Sequence, residues 1–261
     1  MSVVLVGIPF DAASSWKRGA AAAPAAIRKA LESESGNRWS ESLADTGHSG
    51  LLDDAGDLDV GTVSRARDVI EFGIRRVVKQ GGRPLSLGGD HSITYPIMRA
   101  IAAAHSKVTL LQIDAHPDLY TEFQGDRYSH ACPFARIMEE RLATKLVQVG
   151  IRAMTGEQKA NAERFGVTTI DMRAWHNGTR PKVSGPIYLS IDMDGFDPAF
   201  APGVSHREPG GLSSREVLAL IQQLEGPIIG ADIVELNPSE DAVRSAFRAL
   251  LLLQSKVAPR P

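Results

Sequence analysis

Short, unbroken apolar runs punctuate this chain at Val3–Gly7, Pro84–Leu87, Val108–Ile113, Lys145–Val149, Val167–Ile170, Ile187–Ile191 and Ile228–Val234. Runs this short and rich in Val, Ile and Leu mark strands buried on both faces, as in a parallel sheet. Between them the apolar positions fall at helical intervals. Pro24 stands where a helix can begin, continuing through Ala25–Leu31, and Ser64 caps another that reaches about Val78 before Gly81-Gly82 stops it. Further helices are predicted over Tyr95–His105, Ala135–Leu142, Glu157–Phe165, from Ser213 or Ser214 to near Leu224, and over Asp241–Leu253 at the end. Leu51–Val60 reads as a loop with room for a short strand, and Leu119–His130 has no period and reads as a loop. Strands alternating with helices give an α/β fold, three layers (α/β/α) around a mostly parallel sheet of about eight strands.

Composition narrows the class. The 261 residues fit one large domain over the whole chain, with no Pro/Ser/Gly tract or charge block to divide it. With 43% hydrophobic and 23% charged residues the chain is an ordinary globular protein. A net charge of -2, with the basic residues dispersed, offers no footprint for nucleic acid. No segment reaches the roughly 20 apolar residues of a membrane span, and Met1-Ser2-Val3-Val4-Leu5 lacks the basic start of a secretory signal. The single Cys excludes an intrachain disulfide framework and Cys-based zinc sites. The expectation is a cytoplasmic protein.

Four predicted strands end in acidic and imidazole side chains: Gly88-Gly89-Asp90-His91-Ser92, Asp114-Ala115-His116-Pro117-Asp118, Ser190-Ile191-Asp192-Met193-Asp194 and Ala231-Asp232-Ile233-Val234-Glu235. A parallel sheet places its binding crevice at the carboxyl ends of its strands. One edge therefore gathers two histidines and several carboxylates. Clustered carboxylates repel and lose hydration, so the cluster calls for cations, and a two-metal site is the natural reading. Asp114, His116 and Asp118 alternate and would share one face of an extended segment; Asp192 and Asp194 repeat the device. An oxygen-rich set with a few imidazoles suits Mn²⁺ and also accepts Co²⁺, Ni²⁺ or Fe²⁺.

Taken singly, each motif has a plainer reading. Asp-x-His-x-Asp can be a turn or cap, and Gly88-Gly89-Asp90 a strand-to-helix turn without the Lys of a phosphate loop. Their common position at strand ends is what singles them out. His130 lies close behind the second motif and joins the candidates. Glu235 is either a structural partner or a grip for a cationic substrate. His48, His105, His176 and His206 read as surface or loop residues, and Cys132 as a packing residue.

These motifs, in this order, resemble the arginase and agmatinase (ureohydrolase) family over nearly the whole chain. The resemblance opens at Gly7-Ile8-Pro9-Phe10-Asp11 and Pro24-x-x-Ile27-Arg28, and runs through Tyr128-Ser129-His130 to Glu235-x-Asn237-Pro238. Its most specific stretch is Asp192-Met193-Asp194-x-x-Asp197-Pro198-Ala199-Phe200-Ala201-Pro202-Gly203. Asp118-Leu119-Tyr120, the run Tyr128 to Met138 and Ser205-His206-Arg207-Glu208 look most like plant-type arginases. The resemblance implies two Mn²⁺ per chain. His91, Asp114, Asp118 and Asp192 would hold one ion and His116, Asp114, Asp192 and Asp194 the other, with Asp114 and Asp192 bridging. Asp118 would also orient the attacking hydroxide, Glu235 would pair with a guanidinium, and His130 would pass a proton to the leaving amine. The implied activity is release of urea from a guanidino compound: L-arginine first, with agmatine or a guanidino acid as alternatives, and a trimeric or hexameric assembly. The loops Leu119–Ser129 and Arg152–Gln158 are the expected readers of the substrate's far end, with Arg127 and Arg152 as possible partners for a carboxylate. A two-metal phosphoesterase would carry its Asp-x-His before the Gly-rich His motif, the reverse of the order here. A metal-depleted, non-catalytic relative would lack ligands, and all six are present.

Overall fold

A computed structural model describes residues 2–34 and 52–238, with 38–41, 43, 45 and 47 between them. Among the described residues eight strands share one sheet: β1 (Val3–Gly7), β2 (Leu52–Asp57), β3 (Arg83–Leu87), β4 (Thr109–Ile113), β5 (Lys145–Ile151), β6 (Thr168–Asp171), β7 (Ile187–Asp192) and β8 (Ile228–Val234). Their order is β2-β1-β3-β8-β7-β4-β5-β6, and every pairing is parallel. The helices are α1 (Ala23–Leu31), α2 (Val63–Lys79), α3 (Thr94–Ala102), α4 (Pro133–Glu139), α5 (Gly156–Phe165), α6 (Met172–His176) and α7 (Ser214–Gln223).

Two cores form because each strand alternates its side chains between the sheet's faces. On β4, Leu111 and Ile113 enter a core with Ile27 of α1, Trp175 of α6 and Ile221 of α7. Leu110 enters the other, with Ile70 of α2, Ile97 of α3 and Phe134 of α4. The result is the three-layer α/β/α arrangement expected from the sequence. Strands β3, β8, β7 and β4 are consecutive neighbours in the middle of the sheet. They are also the four strands that end in the acidic and imidazole motifs.

Local differences from the sequence reading have physical causes. β2 pairs along β1 at the sheet edge, although its sequence, LDDAGD, has no apolar pattern. An edge strand needs only one partner, and charge there blocks further pairing. Helix α3 begins at Thr94, one residue before the predicted Tyr95, and ends at Ala102 rather than His105; it is preceded by a 3-10 turn over His91–Ile93, with the Asp90 side chain accepting from Ser92 N–H at 3.1 Å. The five-residue α6, capped by Asp171, is too short to show a period. The closing helix predicted over Asp241–Leu253 and His48 lie outside the described residues. None of the described helices is long and apolar enough to cross a membrane.

Candidate functional site

The loops after β3, β4 and β7 bring five carboxylate and imidazole side chains together in a buried patch, and His116 adds a sixth at its margin. His91, Asp114, Asp118 and Asp192 form one potential ion-binding group, and Asp114, His116 and Asp194 form another. Asp114 belongs to both. Asp192, expected to bridge as well, stands in the first group, and its Oδ1 accepts the backbone N–H of Asp194 at 2.7 Å.

The His91 ring tests whether this site suits a cation. Its Nε2 lies 2.9 Å from Ser190 Oγ, whose own hydrogen goes to Asp232 Oδ1 at 2.6 Å. Asp232 is held in turn by Tyr188 Oη–H at 2.7 Å and Thr94 Oγ1–H at 3.0 Å. With the Ser190 hydrogen committed, its oxygen accepts from Nε2–H, which leaves the lone pair of a neutral His91 on Nδ1. That Nδ1 is buried without a hydrogen-bond partner, yet carboxylate oxygens of Asp118, Asp192 and Asp114 stand at 3.0, 3.1 and 3.2 Å. A lone pair facing three carboxylates is tolerable only with positive charge between them. Electrostatics agree: burial opposes the His91 cation, but the pull of the Asp114, Asp118 and Asp192 carboxylates facing Nδ1 outweighs it and raises the imidazole well above its usual range. A proton does here what a metal ion would do, and the residues fit a divalent cation.

The second group is built the same way. His116 Nδ1 lies 3.0 Å from Asp194 Oδ2 and 3.7 Å from Asp114 Oδ1. Gln112 donates to Asp114 Oδ2 at 2.7 Å, and Gln148 donates to Gln112 Oε1 at 2.7 Å, so neutral amides on β4 and β5 aim the shared carboxylate without adding charge. Close backbone approach completes the assembly. A Cβ on Gly195 would sit 2.8 Å from Asp114 N, and one on Gly89 would sit 1.6 Å from Phe10 O.

Beside the carboxylates, Glu235 Oε1 accepts His91 N–H at 2.9 Å and lies 2.9 Å from His130 Nδ1. The other ring nitrogen of His130, Nε2, lies 2.8 Å from Ser15 Oγ. Burial disfavours the His130 cation, but the hydrogen bond and charge of Glu235 win and lift its pKa to about 9. The pairing with Glu235 favours the protonated ring, the form that can act as an acid. Burial and then the charge of Asp114 push the Asp118 carboxyl up to about 6.

These groups border a cavity of about 370 Å³. His116, Asp118, Asp192, Asp194, His130 and Glu235 line it together with Tyr120, Phe123, Met154, Thr155 and Gln158. Two predicted readers of the far end do other work. Arg152 spends its guanidinium on the backbone carbonyls of Gly150, Asp194, Gly195, Phe196 and Glu208, bracing the β7 loop. Arg127 is exposed and pairs with Glu139 at 3.2 Å. His206, read as a loop residue, belongs to the site: its ring stacks on His130 at 5.6 Å and meets His116 edge-on at 5.7 Å. Ser15 was missed too. Nothing in the sequence singles out Ser15, and His206, though it stands in the plant-type stretch Ser205-His206-Arg207-Glu208, carried no sign of its contact with His130; the chain brings both in from loops after β1 and β7.

A family model, the arginase family, matches residues 1–257. Arginase 1, mitochondrial, of Arabidopsis thaliana is 42% identical over 259 residues, covering 93% of this chain and 75% of that one. The guanidinobutyrase of Pseudomonas aeruginosa is 34% identical, covering 92% and 80%. The solved arginase from Medicago truncatula superposes with a TM-score of 0.92 at 37% identity, covering 99% of this chain and 88% of that one. These relatives overturn the cytoplasmic expectation, because the similar arginases of Arabidopsis, Oryza and Medicago are mitochondrial or chloroplastic by name. The absence of a basic start at Met1 was too weak a signal to assign a compartment. An all-parallel sheet of eight strands among the described residues, with groups able to hold cations at its carboxyl edge, and matches that span the chain make this protein a member of the arginase family and a ureohydrolase.

Proposed function

We propose that this ureohydrolase converts L-arginine to L-ornithine and urea at two Mn²⁺ ions, held by His91, Asp114, Asp118 and Asp192 and by His116, Asp114 and Asp194, with Asp192 shared where its free oxygen allows. The observation that carries the reading is one cavity whose lining joins these carboxylates to a carboxylate–imidazole pair, Glu235 and His130. An oxygen-rich set with two imidazoles favours Mn²⁺ among the common divalent ions. When bound, such an ion pair makes water acidic enough to attack carbon near neutral pH.

The chain's own residues do the rest. A guanidinium carbon is a poor electrophile because its charge is delocalised, so the cation must be fixed and the attack aligned. Glu235 keeps Oε1 on His91 N–H and His130, and offers Oε2 to the guanidinium N–H groups. Asp118 accepts a hydrogen bond from the attacking water and fixes its direction. Water adds to the guanidinium carbon as its first proton passes to Asp118; the bond from that carbon to the chain nitrogen breaks as the leaving nitrogen takes a proton from His130, the remaining hydroxyl proton returns to His130 as the urea carbonyl forms, and the proton held by Asp118 passes to the free amine. A protonated donor is required, because an amine leaves badly as an anion.

The far end is read by neutral groups. The Gln158 side chain turns Oε1 to Thr155, accepting from its N–H at 3.1 Å, which directs the amide NH₂ away from Thr155. Gln158 is buried and lines the cavity, so this NH₂ is a donor suited to a substrate carboxylate. That favours arginine over agmatine, which has no carboxylate. The chain acts as one unit over its length, and the resemblance supports a trimer or hexamer, which light scattering checks. The activity test is urea release with Mn²⁺ from arginine, agmatine, guanidinobutyrate and guanidinopropionate. Arginine is expected to show the highest kcat/KM. A higher value for another compound overturns the substrate, and no urea from any of them overturns the chemistry.

A further inference from the structure

Resting on the ureohydrolase reading, we propose that Ser15 is a positioning residue for His130, which keeps Nε2 as the nitrogen that exchanges protons. The two partners of the His130 ring differ in kind. A carboxylate only accepts, so Glu235 keeps the hydrogen on Nδ1. A hydroxyl both donates and accepts. Facing the imidazolium, Ser15 Oγ accepts from Nε2–H; facing the neutral ring, it rotates and donates to the Nε2 lone pair. The contact at 2.8 Å therefore survives loss and recovery of the proton, while the Nδ1 contact at 2.9 Å does not change. A general acid that must recycle needs such a partner at its working nitrogen, because either fixed alternative, acceptor or donor, stabilises only one protonation state.

The fold holds Ser15 at that spot deliberately tightly for a loop residue. The segment after β1 is tied to the loop after β3 by Asp90 N–H to Phe10 O at 2.8 Å and Ala13 N–H to Asp90 Oδ2 at 2.9 Å. It is tied to the His130 backbone by His130 N–H to Ala13 O at 3.2 Å. Asp11 Oδ2 closes the far side by accepting Gly19 N–H at 2.8 Å and Ala21 N–H at 3.2 Å. The His206 ring stacked on His130 at 5.6 Å restrains the imidazole plane but offers no partner to Nε2. Ser15 lines the cavity at partial exposure, between solvent and the buried ring.

The test compares Ser15→Ala, Ser15→Thr and His130→Asn with the wild-type enzyme loaded with Mn²⁺, on whichever guanidino substrate the wild type turns over. Ser15→Ala is expected to lower kcat about tenfold or more with KM and bound metal unchanged, less than His130→Asn, for which general acid–base help sets a loss of about 10²–10⁴-fold. Ser15→Thr, which keeps the hydroxyl, should recover most of the loss, and added imidazole should raise the kcat of Ser15→Ala but not of wild type. A Ser15→Ala enzyme with kcat within twofold of wild type overturns the proposal. So does a loss that travels with metal content, or one that threonine and imidazole both fail to restore. A wild type that releases urea alongside an unaffected variant refutes the role of Ser15 alone; a wild type that releases none refutes the ureohydrolase reading beneath it.

Discussion

Asp118 and Glu235 both hold left-handed backbone angles, φ +50° and +61°, a conformation that costs a residue with a side chain roughly 1–2 kcal/mol. Neither is glycine, and both side chains line the cavity. Such strain persists only where surrounding contacts fix it; for Glu235 these are Gly89 O, which accepts its N–H at 2.8 Å, and His91 N–H on its carboxylate at 2.9 Å. Asp118 also carries an electrostatic cost that can be measured. Its folded pKa of about 6 lies above the roughly 3.9 of an unfolded chain. The folded protein stripped of metal thus holds a proton that the unfolded chain has lost between those values. For an acid with a raised pKa the stability is greatest below about 4 and is lost as pH rises through about 6. Chelator-treated Asp118→Asn should lack this contribution, so its melting temperature should gain on that of wild type from pH 4 to 6, and the gain should reverse once metal is restored. Parallel profiles for the two proteins would remove Asp118 from the buried cluster.

Between elements, the site depends on backbones that touch. Gly89 follows β3 beneath the loop after β1, where a Cβ would lie 1.6 Å from Phe10 O, a backbone atom that cannot swing aside. Gly89→Ala is therefore expected to cost about 3 kcal/mol or more, as overpacking does, and to displace Asp90 and His91, lowering metal content as well as melting temperature. A variant with normal melting and full metal would show that the crossing is looser than it looks. The same scale explains what the sequence could tell. β3, β4, β7 and β8 were legible because strands buried on both faces must be apolar throughout, and their ends were legible because buried charge is rare. β2 was obscure because an edge strand with one neighbour needs no apolar pattern. The contacts of Ser15 and His206 with His130 were hidden for a different reason: each reaches His130 from a loop distant in sequence, by contacts that no period encodes. Arg152 misled because a lone Arg near a site suggests an anion, whereas here it braces carbonyls.

Across the molecule the charged edge and the two cores are separate structures. The cores lie on the faces of the sheet, and the carboxylates lie past the strand ends, so metal should stabilise the fold without being needed to form it. An ion that binds only the native state adds RT ln(1 + [L]/Kd), about 2.7 kcal/mol at a hundredfold excess over Kd, which for a domain of this size is roughly 5–10 °C. Removing metal with a chelator should accordingly leave the far-UV circular dichroism unchanged and lower the melting temperature by about that amount, and Mn²⁺ should restore it. Asp114→Asn provides the control, since Asp114 serves both ion-binding groups. That variant should resemble chelated wild type and gain little from Mn²⁺. Loss of helical and strand signal on chelation would instead tie the metals to folding of the sheet, and an unchanged melting temperature would mean that the carboxyl edge does not hold the ions assigned to it.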